Sequence, residues 1–415
     1  FGSRPQEYWL KSPIFVPAGS EAMADLTKVK AAAAARNKKG TKSWKTQYML
    51  WVGGSVGSIV VACVMLLISP DKGPFGIPVN DQSLIAHINR NAKTWGAGAA
   101  PFFEHWTIGD VKLLEGIGVS SMGGGVAPCV VPETPVPDNF DAREKWDKCF
   151  LSPIYNMGNC TASWAIASAS ALSNRFCVSD PAEYGELMLS PQQLLSCDNT
   201  NRGGSNRGCS GGDIDSAWTY IEREGLVSEI CFPYQADSTV SCQSKCASET
   251  PMKASSHCSL SGEAAIKREI FQNGPVVAPI FLVDDFLVYK GGIYQEMPTA
   301  TQLTGTEGRR NRLVHAVKVL GWGTMAGKNY WLIENSWGED WGDQGFAKII
   351  RGGDPEKREG IIIETFVVAG TPASKKVDDD GDADFESDID LEDGDMELED
   401  AGSKGASDDD DSDEI

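Results

Sequence analysis

The chain has 415 residues, 41% of them hydrophobic, and a formal net charge of −21 at pH 7. Most of this charge is local, because residues 377–415 hold 20 Asp and Glu and one Lys, a net charge of −19 that leaves −2 for the remainder. The length allows two to three domains. The nearly neutral remainder excludes the basic field of a nucleic-acid-binding protein, so we expect no nucleic acid partner.

The N-terminal part of the chain contains a candidate membrane span. Residues 1–48 form a basic segment without a core-forming pattern, and residues 49–68 then run for twenty residues without a formal charge. At about 1.5 Å per residue this length crosses about 30 Å of hydrocarbon. We predict a single transmembrane helix there, with a buried soluble helix as the alternative. Gly53 and Gly57 have the spacing that lets two helices approach closely, so they could pair the span with another helix.

Charges beside residues 49–68 predict the orientation of this span. The balanced pair Asp71 and Lys72 follows it, whereas basic residues precede it: Lys28, Lys30, Arg36, Lys38, Lys39, Lys42 and Lys45. The positive-inside rule places the N-terminus in the cytosol or the mitochondrial matrix. The C-terminal part then faces the oxidising side, which is the intermembrane space or the lumen of the secretory pathway and ER. The first residue, Phe1, fits a processed mitochondrial protein or an incomplete sequence.

Cysteines concentrate in the middle of the chain. Ten of the 11 lie between Cys129 and Cys258, a density that indicates disulfides and an oxidising compartment. A zinc site is the alternative, because Cys242 and Cys246 have the spacing of zinc ligands. We favour disulfides, with no metal and no cofactor.

Residues 137–372 have the pattern of an α+β domain. Small residues from 165 to 172 suit a long buried helix, and Ser190 followed by Pro191 supplies an N-cap and a proline at the first helical position. Apolar residues then alternate and predict strands over residues 276–280, 314–321, 330–335 and 346–351. A helical first half should therefore pack against a strand-rich second half.

The acidic residues 377–415 cannot bury an apolar core, and their composition predicts a disordered tail. Solubility is its simplest role. Docking to a basic protein partner is the second.

Three motifs follow one another at a characteristic spacing. The run Met157-Gly158-Asn159-Cys160-Thr161-Ala162-Ser163-Trp164 precedes Val314-His315-Ala316-Val317 by roughly 150 residues, and Asn335-Ser336-Trp337-Gly338 follows. These motifs resemble the papain-like cysteine proteases, in which the first run reads Gln-Gly-Ser-Cys-Gly-Ser-Cys-Trp. Ser163 stands at the nucleophilic cysteine, and Met157 stands at the glutamine of the oxyanion hole.

Further motifs resemble the cathepsin B branch: Ile85-Ala86-His87-Ile88-Asn89-Arg90, Thr94-Trp95-Gly96 and Phe140-Asp141-Ala142-Arg143. The run Gly158 to Trp164 also resembles the tubulointerstitial nephritis antigen group, whose members are non-proteolytic. The resemblance implies a two-lobed papain-like α+β fold, with a helical lobe and a β-barrel-like lobe, behind the transmembrane helix. It implies a propeptide-like segment over residues 80–118, a linker over 119–136 and the protease-like domain over 137–372.

The resemblance also implies residue roles. His315 would be the base, Asn335 its orienting partner and Trp337 the cover of the site. Cys149–Cys177 and Cys160–Cys209 would be disulfides. The pairing of five more cysteines stays open: Cys197, Cys231, Cys242, Cys246 and Cys258. Only His257 lies where cathepsin B has the two histidines of its occluding loop, so we expect no dipeptidyl-carboxypeptidase behaviour.

A serine at the nucleophile changes the chemistry. A papain-type thiol ionises with a pKa as low as about 3 to 4, whereas a hydroxyl forms no such ion pair with His315. Loss of one oxyanion donor at Met157 costs a further 3 to 4 kcal/mol or about 10² to 10³ in rate. We therefore predict an inactive protease domain used for protein interaction, or as an accessory subunit of a membrane complex. The alternatives are a hydrolase that uses Ser163 and His315, and a peptide-binding receptor. The propeptide-like segment would stay as a plug or simply pack on the domain.

Overall fold

The computed structural model describes residues 76–111, 125–200, 204, 206–242, 249–301, 303, 313–352, 363–377 and 383–385. All of them belong to the compact unit Lys72–Ile415. The predicted transmembrane helix over 49–68, with Gly53 and Gly57, and the basic segment 1–48 lie outside the described residues. Within the described ranges, no helix is both long and apolar enough to cross a membrane.

The described residues contain eight α-helices, and seven of them end by Glu224. They are α1 (Gln82–Asn91), α2 (Ile108–Val111), α3 (Ala142–Lys145), α4 (Ser163–Ser179), α5 (Pro181–Tyr184), α6 (Pro191–Cys197), α7 (Ile214–Glu224) and α8 (Glu263–Asn273).

The described residues contain eleven strands, and nine of them begin at Ala254 or later. They are β1 (Trp95–Ala97), β2 (Phe140–Asp141), β3 (Ala254–Leu260), β4 (Val276–Phe281), β5 (Tyr289–Tyr294), β6 (Val314–Met325), β7 (Lys328–Glu334), β8 (Phe346–Ile350), β9 (Val367–Pro372), β10 (Lys375–Val377) and β11 (Ala383–Phe385). In the described residues the main sheet has the order β1-β5-β8-β7-β6-β4-β9-β3, and β2 pairs with β6. Most neighbours are antiparallel, whereas β5 and β8 are parallel.

The long helix α4 is buried over most of its length. Small side chains such as Ala165, Ala169 and Ala171 are fully buried, and they let the helix pack closely against the sheet. Caps fix the neighbouring helices: the Ser190 hydroxyl accepts the Gln193 N–H at 3.1 Å, and the Asp213 carboxylate accepts the Ser216 N–H at 3.0 Å. The helical first half and strand-rich second half are therefore as predicted.

Four disulfides have both cysteines among the described residues: Cys129–Cys258, Cys149–Cys177, Cys160–Cys209 and Cys197–Cys242. Cys231 is also disulfide-bonded. The zinc alternative is wrong for Cys242, because its sulfur is bonded to Cys197. Nor do the described residues group three or more His, Cys, Asp or Glu side chains around a possible metal. The disulfides indicate folding in an oxidising environment.

The first residues of the acidic tail differ from the expectation of disorder. β10 and β11 pair antiparallel, with Lys376 opposite Asp384. Backbone hydrogen bonding can form such a hairpin without a buried core. Four residues of the tail, Val377 and Ala383–Phe385, therefore belong to strands, and the others lie outside the described residues.

Candidate functional site

The nucleophile turn is fixed to both halves of the domain. The Met157 N–H donates to the Ser336 carbonyl at 2.8 Å, which ties the turn to the end of β7. Cys160 is bonded to Cys209, and the Thr161 N–H donates to the Cys209 carbonyl at 3.2 Å. α4 begins directly afterwards at Ser163, and no side chain caps it. Ser163 therefore lies at the uncapped N-terminus of a long helix, with 1% of its surface exposed.

Gly212 packs against Trp164 at the end of the nucleophile turn, where a side chain would not fit. A Cβ at Gly212 would lie 2.5 Å from the ring of Trp164, the residue after Ser163. Real Cβ atoms do not approach so closely, so a larger residue would displace the tryptophan and the start of α4.

His315 on β6 forms a hydrogen-bonded pair with Asn335, which directly follows β7. The His315 Nε2 and Asn335 Oδ1 atoms are 2.7 Å apart, and the same oxygen accepts the Ser336 N–H at 2.8 Å. Trp337 lies beside the imidazole with 4.8 Å between ring centroids. Because Asn335 Oδ1 is an acceptor, Nε2 carries the proton and Nδ1 is left as the basic nitrogen.

The Ser163 hydroxyl does not engage this base. Its Oγ accepts the backbone N–H of Ala316 at 3.1 Å, and the described residues contain no hydrogen bond between Ser163 and His315. Burial lowers the pKa of His315 from its ordinary 6.5 to about 4, and the Asn335 hydrogen bond offsets only part of this effect. An uncharged imidazole with so low a pKa is a poor general base at neutral pH.

Met157 lies where the resemblance implies an oxyanion donor. Its side chain is buried, and the Ser336 hydroxyl donates to its Sδ at 3.7 Å. A thioether has no N–H or O–H to donate. The side chain of Met157 therefore fills the position without supplying the hydrogen bond that stabilises an oxyanion.

An aromatic cluster covers Trp337. Phe103 meets it edge-on at 5.1 Å between ring centroids, and Phe102 stacks at 6.1 Å. Trp341 meets the same ring at 5.0 Å. Phe102 and Phe103 belong to a short 3₁₀ helix in the propeptide-like segment. This segment thus contacts the group that covers His315, a contact that the sequence did not predict beyond the general idea of a plug.

Strand β1 joins the propeptide-like segment to the domain sheet. Trp95 lies opposite Gly292 on β5, and the Trp95 Nε1–H donates to the Gln295 carbonyl at 2.9 Å. Gly292 has φ +89°, and an added Cβ would overlap the Thr94 carbonyl oxygen and lie 2.7 Å from the Trp95 Cα. The Asn89 side chain makes two hydrogen bonds to the backbone of Ala97 on β1, at 2.8 and 2.9 Å. The segment therefore contributes an edge strand to the domain sheet.

Lys318, three residues beyond His315 on β6, was not predicted as part of the site. Its Nζ lies 2.9 Å from a Glu334 carboxylate oxygen and 2.6 Å from both Ser170 Oγ and Asn174 Oδ1. Burial lowers its pKa, opposed by the charge of Glu334. These contacts tie α4 to β6 and β7, so they set the distance between the helix that carries Ser163 and the strands next to which His315 and Asn335 lie.

His257 has a structural role on the other edge of the sheet. It lies on β3, with Nε2 2.7 Å from Asp215 and Nδ1 2.6 Å from Glu222, both on α7. Burial alone lowers the pKa of His257, but the two carboxylates outweigh it and the pKa is raised. The one histidine of the Cys231–Cys258 region therefore clamps a helix to a strand.

Comparison with known proteins gives matches over the part of the chain that holds the candidate site. The family described as "Papain family cysteine protease" matches residues 136–370. The human tubulointerstitial nephritis antigen is 35% identical over 262 residues, which are 56% of this chain and 53% of that protein. The human tubulointerstitial nephritis antigen-like protein is 31% identical over 325 residues, 69% of this chain and 67% of its own length.

Two solved structures are similar to this chain. The procathepsin B S9 of Trypanosoma congolense has a TM-score of 0.60 and 31% identity, and the match covers 72% of this chain and all (100%) of that one. A digestive procathepsin L 3 from Tenebrio molitor, at 22% identity and TM-score 0.58, shares the fold.

The chain belongs to the papain family, and its two-lobed α+β fold is papain-like. It is related to cathepsin B and to the tubulointerstitial nephritis antigens, so the recognition made from the motifs is confirmed. The chain spans about half the length of the first two curated relatives, 53% and 55%.

Proposed function

We propose that this chain is a catalytically inactive cathepsin B-like protein that acts through protein interaction. One observation carries the proposal: the Ser163 hydroxyl accepts the Ala316 N–H at 3.1 Å, and it makes no hydrogen bond to His315 within the described residues. Peptide hydrolysis needs a nucleophile deprotonated by an adjacent base. Here the hydroxyl points its lone pair at a backbone donor, and burial keeps the base weak.

Further support comes from the oxyanion site. The Met157 side chain has no donor, so an oxyanion would depend on backbone N–H groups such as that of Ser163 at the start of α4. Loss of one donor typically costs about 10² to 10³ in rate. This loss adds to the missing ion pair, since the two affect different requirements of one reaction.

We further propose that the protein is membrane-anchored and serves as an accessory subunit of a membrane complex. The uncharged residues 49–68 would supply the span, and Gly53 and Gly57 could pair it with another helix. The acidic residues 377–415 would dock a basic protein partner. Such docking weakens as salt rises, so capture of the partner should fall with ionic strength and be lost when residues 386–415 are deleted.

An active serine-type hydrolase that uses Ser163 and His315 is the second candidate. The hydrogen bond of 2.7 Å between His315 and Asn335 favours it, because the base is oriented as catalysis would require. A turn of the Ser163 side chain toward Nδ1 would complete a dyad.

Hydrolysis of a peptide panel decides between the two candidates. Because Phe102 and Phe103 contact Trp337, the assay uses the full chain and a Phe102→Ala/Phe103→Ala form whose cooperative unfolding has been verified. We expect no turnover in either form, and turnover when Ser163→Cys and Met157→Gln are added together. The matched control is Ser163→Cys alone, which should be slower by about 10² to 10³. Cleavage by the wild-type residue set that Ser163→Ala abolishes would establish the hydrolase.

A further inference from the structure

The Cys129–Cys258 disulfide connects two parts of the chain on either side of the domain start. Cys129 lies upstream of β2, in the stretch that leads from the propeptide-like segment into the domain, and Cys258 lies on β3. The backbone reinforces the bond, because the Cys129 N–H donates to the Ser259 carbonyl at 2.9 Å and the Ser259 N–H donates to the Ala127 carbonyl at 2.8 Å. The chain is therefore anchored to β3 before it enters the domain.

Residues 130–139, which we call the strap, run between this anchor and β2. The strap has no helix or strand, and most of its residues are exposed, with Val130 98% exposed. None of its residues makes a backbone–backbone hydrogen bond with another described residue. Side chains hold it: Glu133 pairs with Arg268 at 2.5 Å, and the Gln272 amide donates to Thr134 Oγ1 at 2.7 Å.

These features are those of a protease-sensitive segment. Proteases bind their substrates as extended chains, and exposed segments without backbone pairing are cut first because little structure must open. Prolines at 132, 135 and 137 restrict the choice of bond. The Glu133–Thr134 bond joins two residues that are not proline, with Pro132 before it and Pro135 after it. Glu133 is exposed and Thr134 is half-buried.

We propose that the strap is a proteolytic modification site, and that the Cys129–Cys258 disulfide retains the propeptide-like segment after the cut. Hydrolysis consumes one water and leaves a new carboxylate and a new amine. Among the described residues, the Cys129–Cys258 disulfide is then the covalent bond that joins the two pieces. Release requires a thiol reductant as well, which becomes oxidised to a disulfide while Cys129 and Cys258 become thiols.

Retention would keep the site covered. Residues 76–111 hold the aromatic contacts on Trp337 and the β1 pairing with β5, and they would remain tethered beside the site after cleavage. This inference goes beyond the proposed function, and it holds whether or not Ser163 is a nucleophile.

Limited digestion of the full chain with a glutamate-specific endoproteinase tests the proposal. We expect a new N-terminus at Thr134 by sequencing, and two pieces that stay together on a denaturing gel and separate only with reductant. Cys149–Cys177 and Cys160–Cys209 lie wholly on the C-terminal side of the cut, so they cannot account for the link. Glu133→Gln is the matched variant and should abolish this cut while it leaves the disulfide in place.

Cys129→Ser/Cys258→Ser provides the converse test. Its two pieces should separate on the denaturing gel without reductant. If this variant does not fold, the wild type with and without reductant, together with Glu133→Gln, still decides. A first cut upstream of Cys129 or inside the domain would overturn the proposal, and so would wild-type pieces that separate without reductant.

Discussion

The two sides of the candidate site differ in what they have kept of the papain-family pattern. On the strand side, His315, Asn335 and Trp337 are all present and in contact. On the helix side, Met157 and Ser163 replace the donor and the nucleophile. The kept residues also pack: Trp337 contacts Phe103 and Trp341. The changed positions are those to which the resemblance assigns chemistry that packing does not need, so under the proposed function the cleft would be inactive and still retain its form.

The largest expected loss of stability comes from Lys318→Met, which removes the contacts of Lys318 with Ser170 and Asn174 on α4. Lys318→Met leaves the Glu334 carboxylate buried without its partner at 2.9 Å, and removal of one member of a buried ion pair typically costs about 3 to 5 kcal/mol. Urea unfolding measures the loss. Lys348→Met is the matched control, because Lys348 pairs with the exposed Asp343 at 3.5 Å and should cost less than about 1 kcal/mol. Equal losses would show that Lys318 does not connect the two sides.

Protonation of His315 gives the next effect. Its pKa is about 4 in the folded state, below its ordinary 6.5, so the unfolded state binds more protons between these values. Stability should therefore rise with pH from about 4 to 6.5, by about 3 kcal/mol from this residue. His315→Gln should flatten this part of the curve in unfolding experiments across the range. An unchanged slope would mean that His315 is accessible to protons in the folded protein.

His257 should give the opposite slope. Its pKa is raised by Glu222 and Asp215 against the effect of burial. Its contribution is fully present below the ordinary pKa of 6.5 and is lost as pH rises through the raised value. His257→Asn should therefore lose more stability at pH 6 than at pH 8. A larger loss at the higher pH would contradict the carboxylate clamp between β3 and α7.

The smallest expected effect concerns Ser163. Ser163→Ala removes the acceptor of the Ala316 N–H, which should cost about 1 kcal/mol. Ser163→Thr keeps the hydroxyl as a control for the lost acceptor. If Ser163→Ala raises stability instead, the hydroxyl is strained toward another partner, as an active nucleophile would be.

Much of the site could be predicted because its residues fall within short motifs. Ser163, His315, Asn335 and Trp337 occupy motif positions, and the strands at 276–280 and 314–321 follow from apolar alternation. The contact of Phe103 with Trp337 could not be predicted, because it depends on how β1 pairs with β5. Cys129–Cys258 was equally hidden, since pairing among many cysteines depends on the tertiary fold. Lys318 follows His315 within one motif, but a strand sequence does not show which buried carboxylate it meets.

Covalent labelling by a fluorophosphonate, which reacts with activated serines, tests the central claim most directly. The reagent is applied to the Phe102→Ala/Phe103→Ala form and to the same form with Ser163→Ala, and labelled peptides are identified by mass spectrometry. An inactive site predicts no label at Ser163 and equal background in the two proteins. Stoichiometric labelling of Ser163 that is lost in Ser163→Ala would show that His315 activates the hydroxyl, and it would contradict the claim that this papain-family domain is catalytically inactive.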